Sequence, residues 1–462
     1  MSNTPSPSRP TLTETTAFGL VAAATAIRNG EMSSEAYATA LLQQAHAHAD
    51  LNAFITLDET AVLTAARDAD QARANGATAP LLGVPIAVKD SYLTQGLRTT
   101  LGVGNLHDFV PDRDATVVQA IKRAGGIVFG KNNLVEMSYG LTGHNGAYGQ
   151  AKNPRGRAHV TGGSSSGAGA SVGAHIVPAA LGGDTVGSIR VPASFCGVVG
   201  FKPGLGRWSG DGVAPISHSL DTTGVLARSV EDCALVDQIV TNAAPIPSAA
   251  RSDLHGIRLA YAPRQHLERI DADVEQAFKE TLRRLRDAGA DVAEVDLGND
   301  FFAVTEAATW TIFLHETMPA IADFLREQKL PTSFDDILNA LKPGLRDTWA
   351  HAVVPGGAGY AGQDAYHQAL NVHRPDIQRR YAAVFAGADA LLMPTTPRTA
   401  PLIEQQLKFF IAGEEVDHLA LARHTVAASI AGLPGISLPM GASDTGLPIG
   451  LYAGHGFREQ HL

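Results

Sequence analysis

The sequence predicts an α/β fold, in which helices cover both faces of a large, mixed, mostly parallel central sheet. Short apolar runs alternate with helical patterns along its 462 residues, as in parallel strands joined by helices. Hydrophobic residues make up 45% of the chain, which is enough for a large core. Since no repeat or change of composition divides the chain, we expect one domain over residues 14–462, after a disordered Ser-, Thr- and Pro-rich stretch at residues 1–13.

The apolar run at residues 82–88 is the clearest strand in the first half of the chain. It is nearly continuous, which is typical of a strand buried on both faces, and it ends at Lys89. Loss of hydration there would lower the pKa of Lys89 and suit it to act as a base; the alternative is a solvent-facing pair with Asp90. Around this run the sequence predicts four helices: one at residues 14–29, a second that begins at residue 33 or 34, a third that ends at about residue 74, and a fourth at residues 115–124. It predicts strands at residues 53–57 and 127–130.

Two glycine-rich loops follow, at residues 162–167 and 182–188, and each contains serine. Glycine lets the backbone turn with positive φ and bring its N–H groups close to a ligand, which suits an anion pocket or an oxyanion hole. Because a hydroxyl in each loop is also a candidate nucleophile, this stretch is the first candidate for a reaction centre.

The second half of the chain contains a helical stretch between strands. Residues 301–380 have helical periodicity, many aromatic side chains and a Pro-Gly-Gly break, so we expect a helical insert that covers the candidate site. An amphipathic helix precedes it at residues 271–288. The sequence predicts strands at residues 198–203, 257–261, 292–295, 391–397, 431–439 and 446–451.

Charge and cysteine content exclude several classes of protein. The formal net charge is -10 and no run of five like charges occurs, which argues against a nucleic acid or an anionic membrane as the partner. No apolar run reaches the roughly 20 residues that span a bilayer. Cys196 and Cys233 are too few for a disulfide scaffold and have no zinc spacing, so we expect a cytoplasmic protein with no metal and no cofactor.

Three groups of residues, in this order, carry a resemblance to a known family. They are Gly83 to Asp90, Gly162 to Gly167 and Asp184 to Arg190, followed by Pro192 and the run Phe195-Cys196-Gly197. In this pattern the chain resembles the amidase signature family of serine hydrolases. Its motifs are most similar to those of stand-alone enzymes of the indoleacetamide and mandelamide hydrolase type, which extend to aryl acylamidases and urethanases. The resemblance implies the amidase signature fold and an enzyme that acts on linear amides.

The resemblance also implies the site residues. Carried over position by position, the catalytic triad is Lys89, Ser164 and Ser188, with a cis peptide before Ser164. The two serines lie 188 − 164 = 24 residues apart, a spacing typical of the family. The backbone N–H groups of Thr185, Val186, Gly187 and Ser188 are expected to form the oxyanion hole; Met137, Tyr139, Gly140, Asn145 and Phe195 are expected to bind substrate; and Ser165, Asp184 and Arg190 are expected to support the loops by hydrogen bonds and ion pairing.

Val186 departs from the family pattern, in which glycine is usual at this position. A β-branched residue is costly at positive φ, so either the backbone there is ordinary or the oxyanion loop is reshaped. The side chain is also expected to narrow the acyl pocket.

The resemblance predicts hydrolysis of the C–N bond of a hydrophobic or aryl amide through an acyl-enzyme. A carbamate presents a similar carbonyl and an amine leaving group, so a urethane is the alternative substrate for the same triad. Two alternatives of another class are an inactive binding protein and an ammonia-delivering amidotransferase subunit. Residues 163–167 also match Gly-x-Ser-x-Gly, which leaves open an α/β-hydrolase with Ser165 as nucleophile, although the polar segment before it lacks the buried strand that this motif follows.

The expected partner is therefore a small-molecule amide or carbamate, without nucleic acid or membrane. A homodimer stays open, since oligomeric state is not readable from the chain. Relatives continue into a final helix where this sequence ends at Leu462, so that helix is expected to be absent or to lie outside this sequence.

Overall fold

An eleven-stranded sheet lies at the centre of the computed structural model, which describes residues 15–244 and 253–456. The stretch at residues 1–13 that is predicted to be disordered lies outside the described residues. The strands of the central sheet are β1 (Phe54–Thr56), β2 (Pro85–Lys89), β3 (Ile127–Asn132), β6 (Ala179–Asp184), β7 (Val199–Lys202), β8 (Thr222–Ala227), β9 (Arg258–Tyr261), β10 (Asp291–Glu294), β11 (Ala390–Pro394), β14 (Gly435–Ala442) and β15 (Pro448–Gly454). Two small two-stranded sheets pair β4 (Lys152–Asn153) with β5 (Gly156–Val160) and β12 (Lys408–Ile411) with β13 (Glu414–Asp417).

Helices pack around this sheet, and their ends follow local capping rules. The second helix begins after Ser33, whose hydroxyl accepts from the Ala36 N–H at 3.1 Å. The helices are α1 (Leu20–Asn29), α2 (Ser34–Ala47), α3 (Glu59–Ala74), α4 (Thr116–Arg123), α5 (Ser166–Gly173), α6 (Arg190–Cys196), α7 (Val230–Thr241), α8 (Pro263–His266), α9 (Ala272–Asp287), α10 (Phe301–Glu327), α11 (Phe334–Ala340), α12 (Pro343–Ala352), α13 (Gln363–Gln368), α14 (Arg374–Gly387) and α15 (Val426–Ala431).

The strand order is β1-β3-β2-β6-β8-β7-β14-β15-β11-β9-β10. The large mixed sheet covered by helices confirms the predicted fold class. Pairing is parallel in β3-β2-β6 and in β11-β9-β10, where helical connections link the strands. From β6 through β8, β7, β14 and β15 to β11 it is antiparallel, and β14 and β15 form a hairpin with a short connection. The edge strand β1 also pairs antiparallel with β3. The prediction of a mostly parallel sheet is therefore wrong, since parallel pairing holds only in these two groups of three strands.

Strands β6 and β8 form the floor beside Lys89, and sequence patterns missed both. Residues 182–184, which the sequence analysis assigned to a loop, are the last residues of β6. Both strands consist largely of Ala, Gly and Thr, and small residues give a weak strand signal. Burial on both faces makes small side chains acceptable there, because neighbouring helices pack closely on the sheet.

The stretch predicted to be a helical insert contains α10 to α14, with one π-helical turn at Ala369–His373. Its aromatic side chains, among them Phe313, Phe334 and Trp349, pack in two of the hydrophobic clusters on one side of the sheet. Through these clusters the insert packs against the loops after β2, β3 and β6.

Candidate active site

Lys89 and Ser164 lie in direct contact at the centre of the candidate site. Lys89 is the last residue of β2, and its Nζ donates to Ser164 Oγ at 2.8 Å. Both residues are buried, with 1% and 0% of their surface exposed. The peptide bond between Gly163 and Ser164 is cis. The structure therefore brings together two residues that are 75 positions apart in the sequence.

Burial determines the charge of Lys89. It lowers the pKa of Lys89 to about 7, against the opposing effect of Asp221 and Asp184, whose negative charges favour the protonated form. The alternative pairing of Lys89 with Asp90 does not occur, because Asp90 instead faces the buried Lys131, with 3.3 Å between Oδ1 and Nζ. Lys89 is thus free to exist as a neutral amine near neutral pH, which a base requires.

Ser188 lies on the loop that leads from β6 into α6. Its carbonyl accepts from the Ser165 N–H at 3.2 Å, which connects the two serine loops. Among the described residues, the Ser188 hydroxyl has no hydrogen-bond partner, and the backbone N–H groups of residues 185–188 have no acceptor. Four unpaired donors next to a hydroxyl can bind an oxyanion.

Val186 has an ordinary backbone conformation, since it is not among the described residues with positive φ. The residue that needs glycine is its neighbour, Gly187, with φ 149° and a Cβ position only 2.6 Å from Thr425 Oγ1. The Val186 side chain packs in a core cluster with Val191 and Phe195, and its carbonyl accepts from the Thr425 hydroxyl. The loop therefore accommodates valine without left-handed backbone.

Asp184 and Arg190 hold the two ends of this loop. Arg190 donates from Nε to Asp184 Oδ2 at 2.9 Å and from Nη2 to Oδ1 at 2.8 Å, and both side chains are fully buried. Asp184 Oδ2 also accepts from the Ile189 N–H at 3.1 Å, at the beginning of α6. The guanidinium of Arg190 overcomes burial and keeps the pKa of Asp184 below its usual value. The paired charges fix the loop in place.

Asp221 is a site residue that sequence reasoning missed. Its carboxylate accepts from Thr185 Oγ1 at 2.6 Å, and from the N–H groups of Ile216 at 2.7 Å and Ser217 at 3.0 Å. It therefore joins the loop before β8 to the first residue of the expected oxyanion loop, and its charge acts on Lys89. Asp221 stands directly before β8 in the sequence, and no sequence pattern there marks this role.

Glu316 of α10 connects the helical insert to the same loop. It lies in the middle of this helix on a buried face, with 6% of its surface exposed. Ser217 Oγ, the Ser219 N–H at 3.0 Å, Ser219 Oγ at 2.6 Å and Tyr366 Oη at 2.6 Å all donate to its carboxylate. These hydroxyl and backbone donors outweigh burial and lower the pKa of Glu316. The insert thus fixes the position of the loop that carries Asp221.

Ser165 makes hydrogen bonds to strand β6. Its hydroxyl donates to the Gly183 carbonyl at 3.2 Å and accepts from the Gly183 N–H at 3.3 Å. The strand that precedes it, β5, belongs to a two-stranded sheet with β4 and not to the central sheet. A nucleophile elbow requires a strand of the main sheet before the serine, so this arrangement excludes the elbow with Ser165.

A cavity of about 430 Å³ opens beside Lys89 and Ser164. Gly183, Asp184 and Thr185 line its floor, together with Asp221. One wall is the loop between β7 and β8, and the other is the last two turns of α10. Ser188 is not among the residues that line this cavity.

The five residues expected to bind substrate lie around the site without lining this cavity. Met137 has left-handed backbone (φ 49°) and packs in a hydrophobic cluster, and Phe195 is fully buried on α6. Tyr139 lies against Phe313 and Trp349, with ring centroids 4.8 and 5.2 Å away. Gly140 has φ 157°. Asn145 donates to the carbonyls of Gly102 and Leu134 and accepts from the N–H groups of Ala147 and Tyr148. A role in substrate binding stays a prediction for all five.

Within residues 15–244 and 253–456, no group of three or more His, Cys, Asp or Glu side chains has an arrangement that could hold a metal ion. In the same part of the chain, no helix has the length and apolar character that crossing a membrane requires.

Comparison with known proteins gives the family of this chain. A family model described as Amidase matches residues 36–462. The chain is 37% identical to a glutamyl-tRNA(Gln) amidotransferase subunit of Desulforapulum autotrophicum, over 92% of this chain and 90% of that protein. It is 35% identical to a mandelamide hydrolase of Pseudomonas putida, over 94% and 86%. A crystal structure of an amidase superposes with a TM-score of 0.85 at 29% identity, covering 96% of each chain.

The chain belongs to the amidase family, as its motifs predicted. It is an amide-hydrolysing enzyme by this membership.

Proposed function

We propose that this enzyme hydrolyses a hydrophobic or aryl small-molecule amide with Ser188 as nucleophile, Ser164 as relay and Lys89 as base. Ser188 Oγ attacks the carbonyl carbon, and its proton passes through Ser164 to neutral Lys89. The backbone N–H groups of residues 185–188 donate to the oxyanion. As the C–N bond breaks, Ser164 passes a proton from Lys89 to the leaving nitrogen.

Water then completes the reaction. It attacks the carbonyl carbon of the Ser188 ester, and its proton again passes through Ser164 to Lys89. The bond between Ser188 Oγ and the acyl carbon breaks, the proton returns to Ser188, and the carboxylic acid leaves. Atoms and charges balance, because the sum of the two halves is amide plus water giving acid plus amine.

The observation that carries this proposal is the buried hydrogen bond from Lys89 to Ser164. Burial lowers the pKa of Lys89 to about 7, which favours a neutral amine beside the Ser164 hydroxyl near neutral pH. The four unpaired N–H groups near Ser188 supply the second requirement, a site for the oxyanion.

Two points support an apolar substrate. The site lies beside aromatic and aliphatic side chains of the insert and of the loop between β7 and β8. One similar protein is named a mandelamide hydrolase, after an amide whose acyl group carries a phenyl ring. A carbamate has the same carbonyl and an amine leaving group, so urethane hydrolysis by the same triad is the alternative.

A second candidate function is that of an ammonia-delivering amidotransferase subunit. Its support is the 37% identity to a subunit of a glutamyl-tRNA(Gln) amidotransferase. This kind of subunit works with partner chains, whereas a stand-alone hydrolase turns over amides by itself. Activity of the purified chain alone on an aryl amide therefore distinguishes the two. A homodimer and a cytoplasmic location remain predictions.

The test measures hydrolysis of a chromogenic anilide and of its matched aryl carbamate from about pH 6 to 10. We expect Ser188→Ala and Lys89→Ala to lower kcat/KM by several orders of magnitude for both substrates, since each removes a member of the triad. The wild-type rate should rise with pH through about 7 as Lys89 loses its proton. The ratio of the two rates identifies the preferred bond.

Two control variants make this test specific. Lys202 is also fully buried, and burial also lowers its pKa to about 7, yet it donates to Pro203 and Thr222 away from Ser164. Lys202→Met should still show a rate that rises with pH, and Ser166→Ala should keep activity. If Lys202→Met loses the pH dependence or Ser188→Ala stays active, the assignment of the triad is wrong.

A further inference from the structure

We propose that the cavity beside Lys89 and Ser164 is the subsite for the amine leaving group, and that the preferred substrates are N-aryl amides or N-aryl carbamates, not primary amides. This inference rests on the proposed function, because it needs the relay to define which side of the scissile bond faces the cavity. The triad by itself does not define how large the amine can be.

The cavity lies on the Ser164 side of the proposed relay. Ser164 and Lys89 line the cavity and Ser188 does not. In the proposed reaction the leaving nitrogen takes its proton from Ser164, so it must lie within hydrogen-bond distance of Ser164 Oγ. The substituent on that nitrogen therefore extends into the space that Ser164 borders. The acyl group is bonded to Ser188 and lies on the side away from it.

The cavity is much larger than ammonia requires. Its volume is about 430 Å³. A water-sized molecule such as ammonia needs about 30 Å³, and an apolar cavity of about 150 Å³ is sufficient to bind benzene. A site that released only ammonia would leave most of this space without a substrate group. An aryl amine with a further substituent fits the available volume.

The walls of the cavity offer apolar surface to a substrate group. Ala320 and Phe324 lie four residues apart on one face of α10, and Gln328 follows the end of the helix at the same interval. The polar side chains of Asp323 and Glu327 line the same wall. The opposite wall is the loop between β7 and β8, with largely apolar lining: Leu205, Trp208, Val213, Ala214, Pro215 and Ile216. A flat aromatic group can bury its faces against the apolar side chains of this mixed lining.

An exit for the amine is present at the same place. The exposed side chains of His218 and Glu327 also line the cavity, so it reaches the surface. The amine can therefore leave by this route while the acyl group is still bonded to Ser188, and water can enter behind it.

The experiment compares three substrates with one acyl group: phenylacetamide, N-methylphenylacetamide and phenylacetanilide. For the wild type we expect kcat/KM to be at least tenfold higher for the anilide than for the primary amide. Ala214→Phe places a ring in the cavity from a half-buried position. We expect it to lower the anilide-to-primary-amide ratio of kcat/KM at least tenfold. Ala303→Phe adds the same ring at an exposed position of α10 away from the cavity and should leave this ratio unchanged.

Product inhibition gives an independent reading on the unmodified enzyme. Aniline should inhibit competitively against the anilide, and the inhibition should weaken in Ala214→Phe. If the wild type prefers the primary amide, or if Ala214→Phe lowers both rates equally, the leaving-group subsite is wrong while the triad stands. If none of the three amides is hydrolysed, and the anilide and carbamate used to test the triad are not either, the proposed function itself fails.

Discussion

The pKa of Lys89 reflects a competition between burial and two neighbouring carboxylates. Asp184 and Asp221 both favour the protonated lysine. The charge of Asp184 is paired with Arg190, and Lys202 also acts on it. Asp221 makes hydrogen bonds to Thr185 and to backbone N–H groups and, among the described residues, has no ion pair. Burial raises the pKa of Asp221, yet its charge has a larger effect on Lys89 than that of Asp184.

Removing that charge should change the pH dependence of catalysis in a defined direction. In Asp221→Asn the protonated form of Lys89 loses a stabilising anion, so the pKa of Lys89 falls. In the proposed mechanism the rate depends on neutral Lys89, so the pH at half-maximal kcat/KM should move to lower values. The measurement is the pH profile of kcat/KM for the anilide in wild type and variant.

Asp114→Asn is the matched control, because Asp114 is also buried but pairs with Lys122 at 2.8 Å. It should leave the midpoint of the profile where it is. A midpoint that moves to higher pH in Asp221→Asn would contradict the assigned effect of this carboxylate.

The sequence indicated Lys89, Ser164 and Ser188 as candidates because each stands in a motif with a fixed local pattern, and the structure brings Lys89 and Ser164 into contact. The sequence could not locate Asp221, which contacts Thr185 across 36 positions of sequence. A carboxylate in a loop has no periodicity, so only the fold identifies which group it faces. The same reason applies to Asp90, whose partner Lys131 lies on a neighbouring strand.

At the scale of elements, α10 is held to the loop before β8 mainly through Glu316. Its carboxylate accepts hydrogen bonds from Ser217, Ser219 and Tyr366, so one side chain joins the loop, α10 and α13. Arg374 donates to the Ser219 carbonyl at 2.7 Å and adds α14 to the same junction. Removal of the carboxylate leaves several buried donors without an acceptor.

We therefore expect Glu316→Ala to lower the free energy of unfolding by about 3 kcal/mol, because hydrogen bonds to charged groups contribute the most and unmet buried donors are costly. Urea denaturation measures this value. Glu327→Ala, at an exposed position of the same helix, should change it by about 0.5 kcal/mol or less. Equal effects of the two substitutions would show that the junction does not depend on Glu316.

Sequence patterns predicted β2, β3, β9 and α9 to within a few residues, since their apolar periodicity is strong. They missed β6 and β8, where Ala, Gly and Thr replace the large β-branched residues that mark strands. Their strand conformation comes from pairing with each other and with β2 and β7, which is a property of the assembled sheet.

At the scale of the whole molecule, two buried histidines make folding sensitive to acid. The ring centroids of His266 and His424 are 5.7 Å apart, and His424 Nδ1 donates to the Pro394 carbonyl at 2.8 Å. Burial lowers the pKa of His424 to about 4 and that of His266 well below its usual value, and the cation of Arg423 adds to both effects. Both rings are neutral in the folded protein.

Between about pH 6.5 and 4 the unfolded chain therefore binds protons that the folded chain does not. The free energy of unfolding therefore falls as the pH drops from 6.5 to 4, by about 3 kcal/mol for His424 alone. Above pH 6.5 the two histidines cause no such loss. His424→Gln cannot take up the proton in either state, so its free energy of unfolding should fall less than that of the wild type between pH 7 and 5. A variant with the same pH slope as the wild type would exclude His424 as the source.

The two walls of the cavity come from separate stretches of the chain, and this gives the enzyme a practical property. The floor, with Lys89 and Ser164, belongs to the sheet and its loops, while one wall is a single helix face of the insert. A saturation library at positions 320, 324 and 328 of that face would therefore vary the accepted amines without exchanging any residue of the relay. Selection for new herbicide, drug or polymer linkages could begin at these three codons.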